Sequence, residues 1–171
     1  MSDIIEWTED HLTYADYDVR RDNVNGQTVL SFENDAVFGF VLSFNSAHDM
    51  LTNWGSRAEG ILARNTLVIR RAEVKAWSVY LVLLASGSPG SGEQYAVSDI
   101  EENLVGTRKI ARANVTSFDR CREAILPLLP LPKAPGLEPI DFEAELKKRS
   151  TSIPSLLLSE LFKTVSRGDG T

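Results

Sequence analysis

The stretch WSVYLVLL, residues 77–84, decides the fold that this sequence predicts. Only Ser78 interrupts its apolar character, whereas a strand with one face in water alternates between apolar and polar residues. Aromatic and β-branched residues also favour the extended conformation. We therefore expect residues 77–84 to form a buried strand, and to be the central strand of a sheet.

The first structured element is expected near Tyr17, where a hairpin and then a third strand are predicted. The sequences YDVRR (17–21) and QTVLSF (27–32) flank Asn25-Gly26, a pair that favours the positive φ angles of a tight hairpin turn. The run VFGFVL (37–42) is again rich in β-prone residues. These residues predict a β-hairpin followed by a third strand.

The segment between this third strand and residue 77 predicts a helix and then another strand. Asn45 and Ser46 offer side-chain oxygens that can cap a helix. Apolar residues then recur at helical spacing while charged residues fall between them, which is typical of an amphipathic helix. Residues 66–69 are β-prone and predict a short strand. The apolar stripe consists of Met50, Leu51, Trp54, Ala58, Ile61 and Leu62.

Downstream of residue 84, the sequence predicts a loop, two helices and a strand. The composition of SGSPGSG (86–92) is that of a flexible loop. Ser98 and Glu101 have the spacing of a capping box, so we expect a helix to begin at Ser98 and to end at Gly106. Residues 108–112 could extend this helix or form a strand, and we favour the strand. Ser117 can cap a further helix that Pro127 limits. Together these elements predict an α+β fold, with a mixed or mostly antiparallel sheet packed by several helices, over residues 1–126.

The remaining residues predict an arm and a helical segment. Residues 127–140 are rich in proline and apolar residues, which favours an extended segment laid across a surface. Residues 141–171 predict charged and then amphipathic helix, whose apolar face must be buried either on a partner or on the chain's own domain. We favour a partner because the arm separates this helix from the core. The expected partner-binding residues are Leu156, Leu157, Leu161, Phe162 and Val165.

Composition and charge restrict the class of protein. The chain has 171 residues, 43% of them hydrophobic, which suffices for a buried core. Its formal net charge of -6 argues against a dedicated nucleic-acid-binding protein. A single cysteine allows no intrachain disulfide, and neither a signal peptide nor an apolar run of membrane-spanning length is evident. We expect a cytoplasmic protein without membrane contact.

The motifs of the common catalytic sites are absent from the sequence. It contains no phosphate-binding loop, no dinucleotide-binding glycine turn and no nucleophile elbow. His11 and His48 lack the spacing of a paired metal site, and Cys121 lies on the apolar stripe of its helix. We therefore expect no catalytic residue, no metal site and no cofactor.

One tripeptide keeps an enzymatic alternative open. Glu73 and Lys75 lie two residues apart before a strong strand, as in metal-dependent nucleases, and Asp49 or Glu59 could supply the second carboxylate. Alternating charge on a half-exposed strand is the simpler explanation. Basic residues near this tripeptide are candidates for a secondary contact with a nucleic-acid backbone. They are Arg70, Arg71 and Lys75.

The run WSVYLVLL, followed by IEENL (100–104) and TRKI (107–110), resembles the middle components of bacterial ABC-three-component defence systems. The Lamassu-type anti-phage systems belong to this group, and the similarity covers residues 74–115. Where that family usually has an acidic residue before the Arg-Lys pair, this chain has Asn103 and Gly106. The role of that acidic position is therefore open.

The resemblance implies a non-catalytic accessory subunit. Such a subunit associates with an SMC-like or Rad50-like ATPase and couples it to an effector, often a nuclease. Carried over to this sequence, the resemblance implies polar contacts, structural or at an interface, from Glu101, Glu102, Arg108 and Lys109. A stand-alone regulatory or ligand-binding domain remains a third alternative, since the terminal helix could pack on its own sheet.

Overall fold

A computed structural model of the chain describes residues 2–71 and 79–130. Met1–Pro130 form one compact unit. Its elements, in chain order, are α1 (Ser2–Tyr14), β1 (Asp18–Val24), β2 (Gln27–Glu33), β3 (Phe38–Phe44), α2 (Ala47–Arg64), α3 (Thr66–Arg71), β4 (Val79–Ala85), α4 (Glu93–Glu102), β5 (Arg108–Arg112) and α5 (Phe118–Ala124), with a 3-10 turn at Leu126–Leu128.

The five strands form one mixed sheet in the order β1-β2-β3-β4-β5. The first three strands are an antiparallel meander, whereas β4 pairs parallel to β3 and β5 pairs parallel to β4. Helices α2 and α3 lie in the connection from β3 to β4, and α4 connects β4 to β5. The α+β prediction with a mixed sheet is therefore confirmed.

Helices cover both faces of this sheet. Helices α2 and α4 bury Met50, Ile61 and Ile100 against one face of β3 and β4. Helices α1 and α5 bury Leu12 and Cys121 against the opposite face. All seven residues of β3 are buried because the strand has a layer of helices on each side and a neighbouring strand at each edge.

Several local signals in the sequence are confirmed. Asn25 and Gly26 adopt positive φ angles of 54° and 79° at the hairpin turn. The side chains of Ser46 and Ser117 accept hydrogen bonds from the backbone N–H groups of Asp49 and Arg120, and so cap α2 and α5. The predicted strand over 108–112 is β5.

The strand predicted over 66–69 is wrong, because these residues belong to α3. The Thr66 hydroxyl donates to the carbonyl oxygens of Leu62 and Ala63, both at 2.9 Å. The Ile69 amide donates to Asn65 at 3.0 Å. These hydrogen bonds to the preceding turn favour the helical conformation after α2. They outweigh the modest strand preference of β-branched side chains.

The capping box predicted at Ser98 is also wrong. Helix α4 begins at Glu93 after Gly92, whose φ is 90°, and ends at Glu102, four residues before Gly106. Ser98 therefore lies inside the helix, where its hydroxyl donates to the Gln94 carbonyl at 3.2 Å. A serine and a glutamate at this spacing also occur within a helix, where the serine bonds to the preceding turn.

The structure differs from two further expectations. The sequence predicts its first element near Tyr17, but α1 already spans Ser2–Tyr14. The buried strand of the 77–84 stretch is β4, with neighbours on both sides, but the central strand of the sheet is β3. The proline-rich arm beyond Pro130 and the helical segment 141–171 lie outside the described residues.

Candidate functional site

Lys109 is buried beneath the loop that connects α4 to β5, and it binds that loop from below. Its ammonium Nζ donates to the carbonyl oxygens of Asn103 at 2.5 Å, Val105 at 3.0 Å and Thr107 at 3.1 Å. It also lies 5.9 Å from the centre of the Trp54 ring on α2. Burial lowers the pKa of Lys109 from its ordinary value. The three carbonyl contacts hold the loop in place.

Replacing Lys109 by methionine is expected to lower the free energy of unfolding by about 2 kcal/mol, because three carbonyl groups lose a charged donor. The neighbouring Arg108 is exposed, so Arg108→Met is the matched control, with an expected change within about 0.5 kcal/mol. Urea denaturation of both variants measures the difference. Equal losses in the two variants would show that Lys109 does not hold the loop.

Glu101 binds the outer edge of β5. Its Oε1 accepts a hydrogen bond from the Ala111 amide at 2.8 Å and forms an ion pair with the Arg112 guanidinium. Of the other predicted polar residues, Glu102 is exposed on α4, and the exposed Arg108 lies near Tyr80, with Nη1 3.4 Å from the hydroxyl. The four residues are thus divided: Glu101 and Lys109 bind within the chain, and Glu102 and Arg108 face outward.

The residues of the predicted nuclease and nucleic-acid contacts are only partly described. Arg70 and Arg71 belong to the end of α3. Glu73 and Lys75 lie outside the described residues. Asp49, one candidate for the additional carboxylate, already accepts from Asn53 Nδ2 at 2.7 Å and pairs with Arg57 at 3.3 Å. The other candidate, Glu59, is exposed on α2.

The histidines and the cysteine have structural surroundings. His11 is buried, and its Nε2 donates to the Phe118 carbonyl at 3.0 Å while its ring packs 3.9 Å from the Phe118 ring. Exposed His48 lies 3.4 Å from a carboxylate oxygen of Glu93. Burial raises the pKa of the Cys121 thiol, which keeps it in its less reactive neutral form.

Two further properties concern the parts of the chain that the structure describes. Residues 2–71 and 79–130 contain no group of three or more histidine, cysteine, aspartate or glutamate side chains arranged to hold a metal ion. Across the same two ranges, no helix has both the length and the apolar character needed to cross a membrane.

The structure contains a groove between α1 and α5. This groove is not predicted from the sequence, because α1 is not predicted either. It has a volume of about 540 Å³. Tyr14 at its rim is 92% exposed, and Phe118 is 45% exposed. Its wall combines apolar and charged groups, which is typical of a protein interaction surface. The lining residues are Asp10, His11, Tyr14, Ala15, Phe118, Asp119, Arg122, Leu129 and Pro130.

Helical spacing could have revealed one side of this groove. Ile4, Ile5, Thr8, His11 and Leu12 all face the core, and their spacing is that of a helix. Tyr14 falls outside this stripe. A helix predicted over 2–14 would therefore have marked Tyr14 as an exposed aromatic residue. The position of α5 beside α1 depends on the tertiary fold and has no local signal.

Comparisons with protein-family models, with curated proteins and with solved structures found no match.

Proposed function

We propose that this chain is a non-catalytic accessory subunit that binds an SMC-like or Rad50-like ATPase in the cytoplasm. It couples this ATPase to an effector, a nuclease, in an anti-phage or anti-plasmid defence complex. The observation that carries the interaction role is the groove between α1 and α5, with exposed Tyr14 and Phe118 at its surface. The partner class rests on the resemblance of residues 74–115 to the middle components of ABC-three-component systems.

Tyr14 supports this role because nothing in the described part of the fold requires an aromatic residue there. Its side chain is almost fully in water, so it contributes little to the buried core. Aromatic residues are enriched among the residues that contribute most to the binding energy of interfaces. Burying the Tyr14 ring against a partner would remove a large apolar surface from water.

One side of the groove is held by contacts within the fold. The Phe118 carbonyl is bound by His11, and the two rings are in contact. Tyr17 holds the segment that precedes Leu129 and Pro130, since its hydroxyl donates to the Leu128 carbonyl at 2.8 Å. A preformed surface loses less conformational entropy when a partner binds, which favours a docking role.

Tyr14→Asp is expected to weaken capture of the ATPase by about tenfold, because an interface residue of this type contributes on the order of 1–2 kcal/mol. The matched control is Thr13→Asp, which adds the same charge at the neighbouring exposed position. Both variants should keep the melting temperature of the parent chain. Binding is measured by co-purification from cells that express the chain with the products of its neighbouring genes. Equal recovery with Tyr14→Asp and with Thr13→Asp would remove the groove from the interface.

A further inference from the structure

A second groove runs along the outer edge of β5, on the face of the sheet opposite to α1 and α5. It lies between α4 and the last strand of the sheet, and its volume is about 560 Å³. Gln94, Val97 and Ser98 line it from the helix, and Ala111 and Arg112 line it from the strand. An edge strand beside a helix is a geometry in which proteins bind extended peptides.

The backbone of Ala111 turns its polar groups toward this groove. Ala111 lies opposite Leu83 in the parallel pairing of β5 with β4. Its amide donates to Glu101 Oε1 at 2.8 Å. The Ala111 carbonyl accepts from Arg112 Nη1, also at 2.8 Å. The N–H and C=O groups of Ala111 are therefore both bound by side chains, which pair with each other.

The Glu101 and Arg112 side chains lie at the edge of β5 where a further strand would pair, and both are partly exposed. The Glu101 and Arg112 side chains are 30% and 41% exposed, so each can turn into water. The backbone of Ala111 is held in the sheet by the pairing of β5 with β4. An incoming main chain could replace both contacts without moving β5. The polar groups of the strand edge would then remain satisfied.

The charge of α4 distinguishes between two candidate ligands of this groove, a second copy of the chain and a segment of another protein. Its sequence, EQYAVSDIEE, carries four acidic residues and no basic one. Two copies of this chain paired through their β5 edges would be related by a two-fold axis, which places one acidic α4 beside the other. Repulsion between these helices opposes such a dimer, whereas a lysine or arginine of another protein would be attracted to Glu101, the acidic residue of α4 that lines the groove.

We infer that this groove binds an extended, basic segment of a partner protein, which adds to the sheet beside β5. Ala111 supplies main-chain hydrogen bonds, and Glu101 turns to bind a lysine or arginine of the segment. The inference rests on the proposed function only in taking the chain to work through protein partners. A subunit that couples an ATPase to an effector needs two docking surfaces, and this groove and the α1–α5 groove lie on opposite faces of the sheet.

The test uses a displayed library of random decapeptides, selected on the full-length chain. We expect the enriched peptides to alternate apolar residues with lysine or arginine. Synthetic copies should bind about tenfold more weakly to Glu101→Lys, and with little change to Glu102→Lys, which makes the same charge change at an exposed position. Methylating alternate backbone nitrogens of the peptide should also cost about tenfold, because strand pairing needs those N–H groups.

A second variant keeps the result interpretable if Glu101→Lys does not fold. Glu101→Gln retains an acceptor for the Ala111 amide and removes the charge, so a loss of about fivefold is expected for basic peptides. Enrichment of acidic peptides, no enrichment, or equal losses in the variants at 101 and 102 would overturn the inference. Because the library contains no ATPase, such a failure would leave the proposed function standing if the ATPase still co-purifies.

Discussion

Replacing Gly39 by valine is expected to lower the free energy of unfolding by about 3 kcal/mol, because the central strand has no room for a side chain there. Gly39 pairs with Phe32 across β2 and β3. A Cβ atom at Gly39 would lie 2.8 Å from ring carbon Cε1 of Phe32 and 2.8 Å from the carbonyl oxygen of Tyr80. The Phe32 ring would have to move, but it packs edge-on against Tyr17 at 5.4 Å.

The backbone at Tyr80 makes the clash harder to relieve, since it belongs to β4 and cannot shift without disturbing the parallel pairing. The matched control is Gly60→Ala in α2, where nothing lies within 4 Å of the added atom. That variant is expected to gain about 0.5–1 kcal/mol, because alanine is a better helix former than glycine. Chemical denaturation should therefore move the two variants in opposite directions. A loss of stability in Gly60→Ala as large as in Gly39→Val would contradict this packing of the sheet.

Replacing both Leu157 and Leu161 by glutamate is expected to weaken capture of the ATPase by roughly 100-fold or more. Two buried leucines at an interface contribute on the order of 3 kcal/mol together, and every 1.4 kcal/mol corresponds to about tenfold in affinity. These leucines lie outside the described residues, so the expectation rests on their helical spacing in the sequence. Affinity is measured on the purified complex by a titration of labelled chain.

The control for this variant is Ser159→Glu with Ser166→Glu. Both serines fall on the side of the same predicted helix opposite to Leu157 and Leu161, so the double variant adds two charges away from these two leucines. It should bind as the parent chain does. If the leucine variant instead loses the cooperative melting of the whole chain, the helix belongs to the core, and the partner assignment of Leu157 and Leu161 is wrong.

Local chemistry predicted much of the sheet and two of the helix starts. Asn25-Gly26 predicts its hairpin because both residues tolerate positive φ, and this does not depend on the rest of the chain. Ser46 and Ser117 predict their helices because a serine oxygen binds the free amides of the first turn. Each of these signals involves residues no more than four positions apart, so the local sequence is enough to predict the turn or the helix start.

The errors arise where a local signal has two structural solutions. Thr66 is β-branched, yet its hydroxyl can bond to the preceding helical turn, and the packing of the chain decides between these states. Ser98 and Glu101 have the spacing of a capping box both at the start and in the middle of a helix. Here Glu101 binds the backbone of Ala111, a contact between elements that no spacing rule contains.

The two candidate grooves differ in how far the sequence could predict them. Glu101 was singled out as a polar contact residue, but its partners, Ala111 and Arg112, are defined only by the position of β5 beside α4. The α1–α5 groove needs both the fold and the missed helix α1. A long-range juxtaposition of this kind depends on tertiary packing, which is why neither surface was predicted as a groove.

The most direct test of the central proposal is affinity purification of the tagged chain, expressed together with its neighbouring genes, followed by mass determination of what co-elutes. We expect a large ATPase of the SMC or Rad50 type to co-elute at a fixed ratio with the chain, and to be lost with the Leu157 and Leu161 variant. A monomeric chain that elutes alone, while the ATPase is present in the same extract, would contradict the proposal that this protein is an accessory subunit.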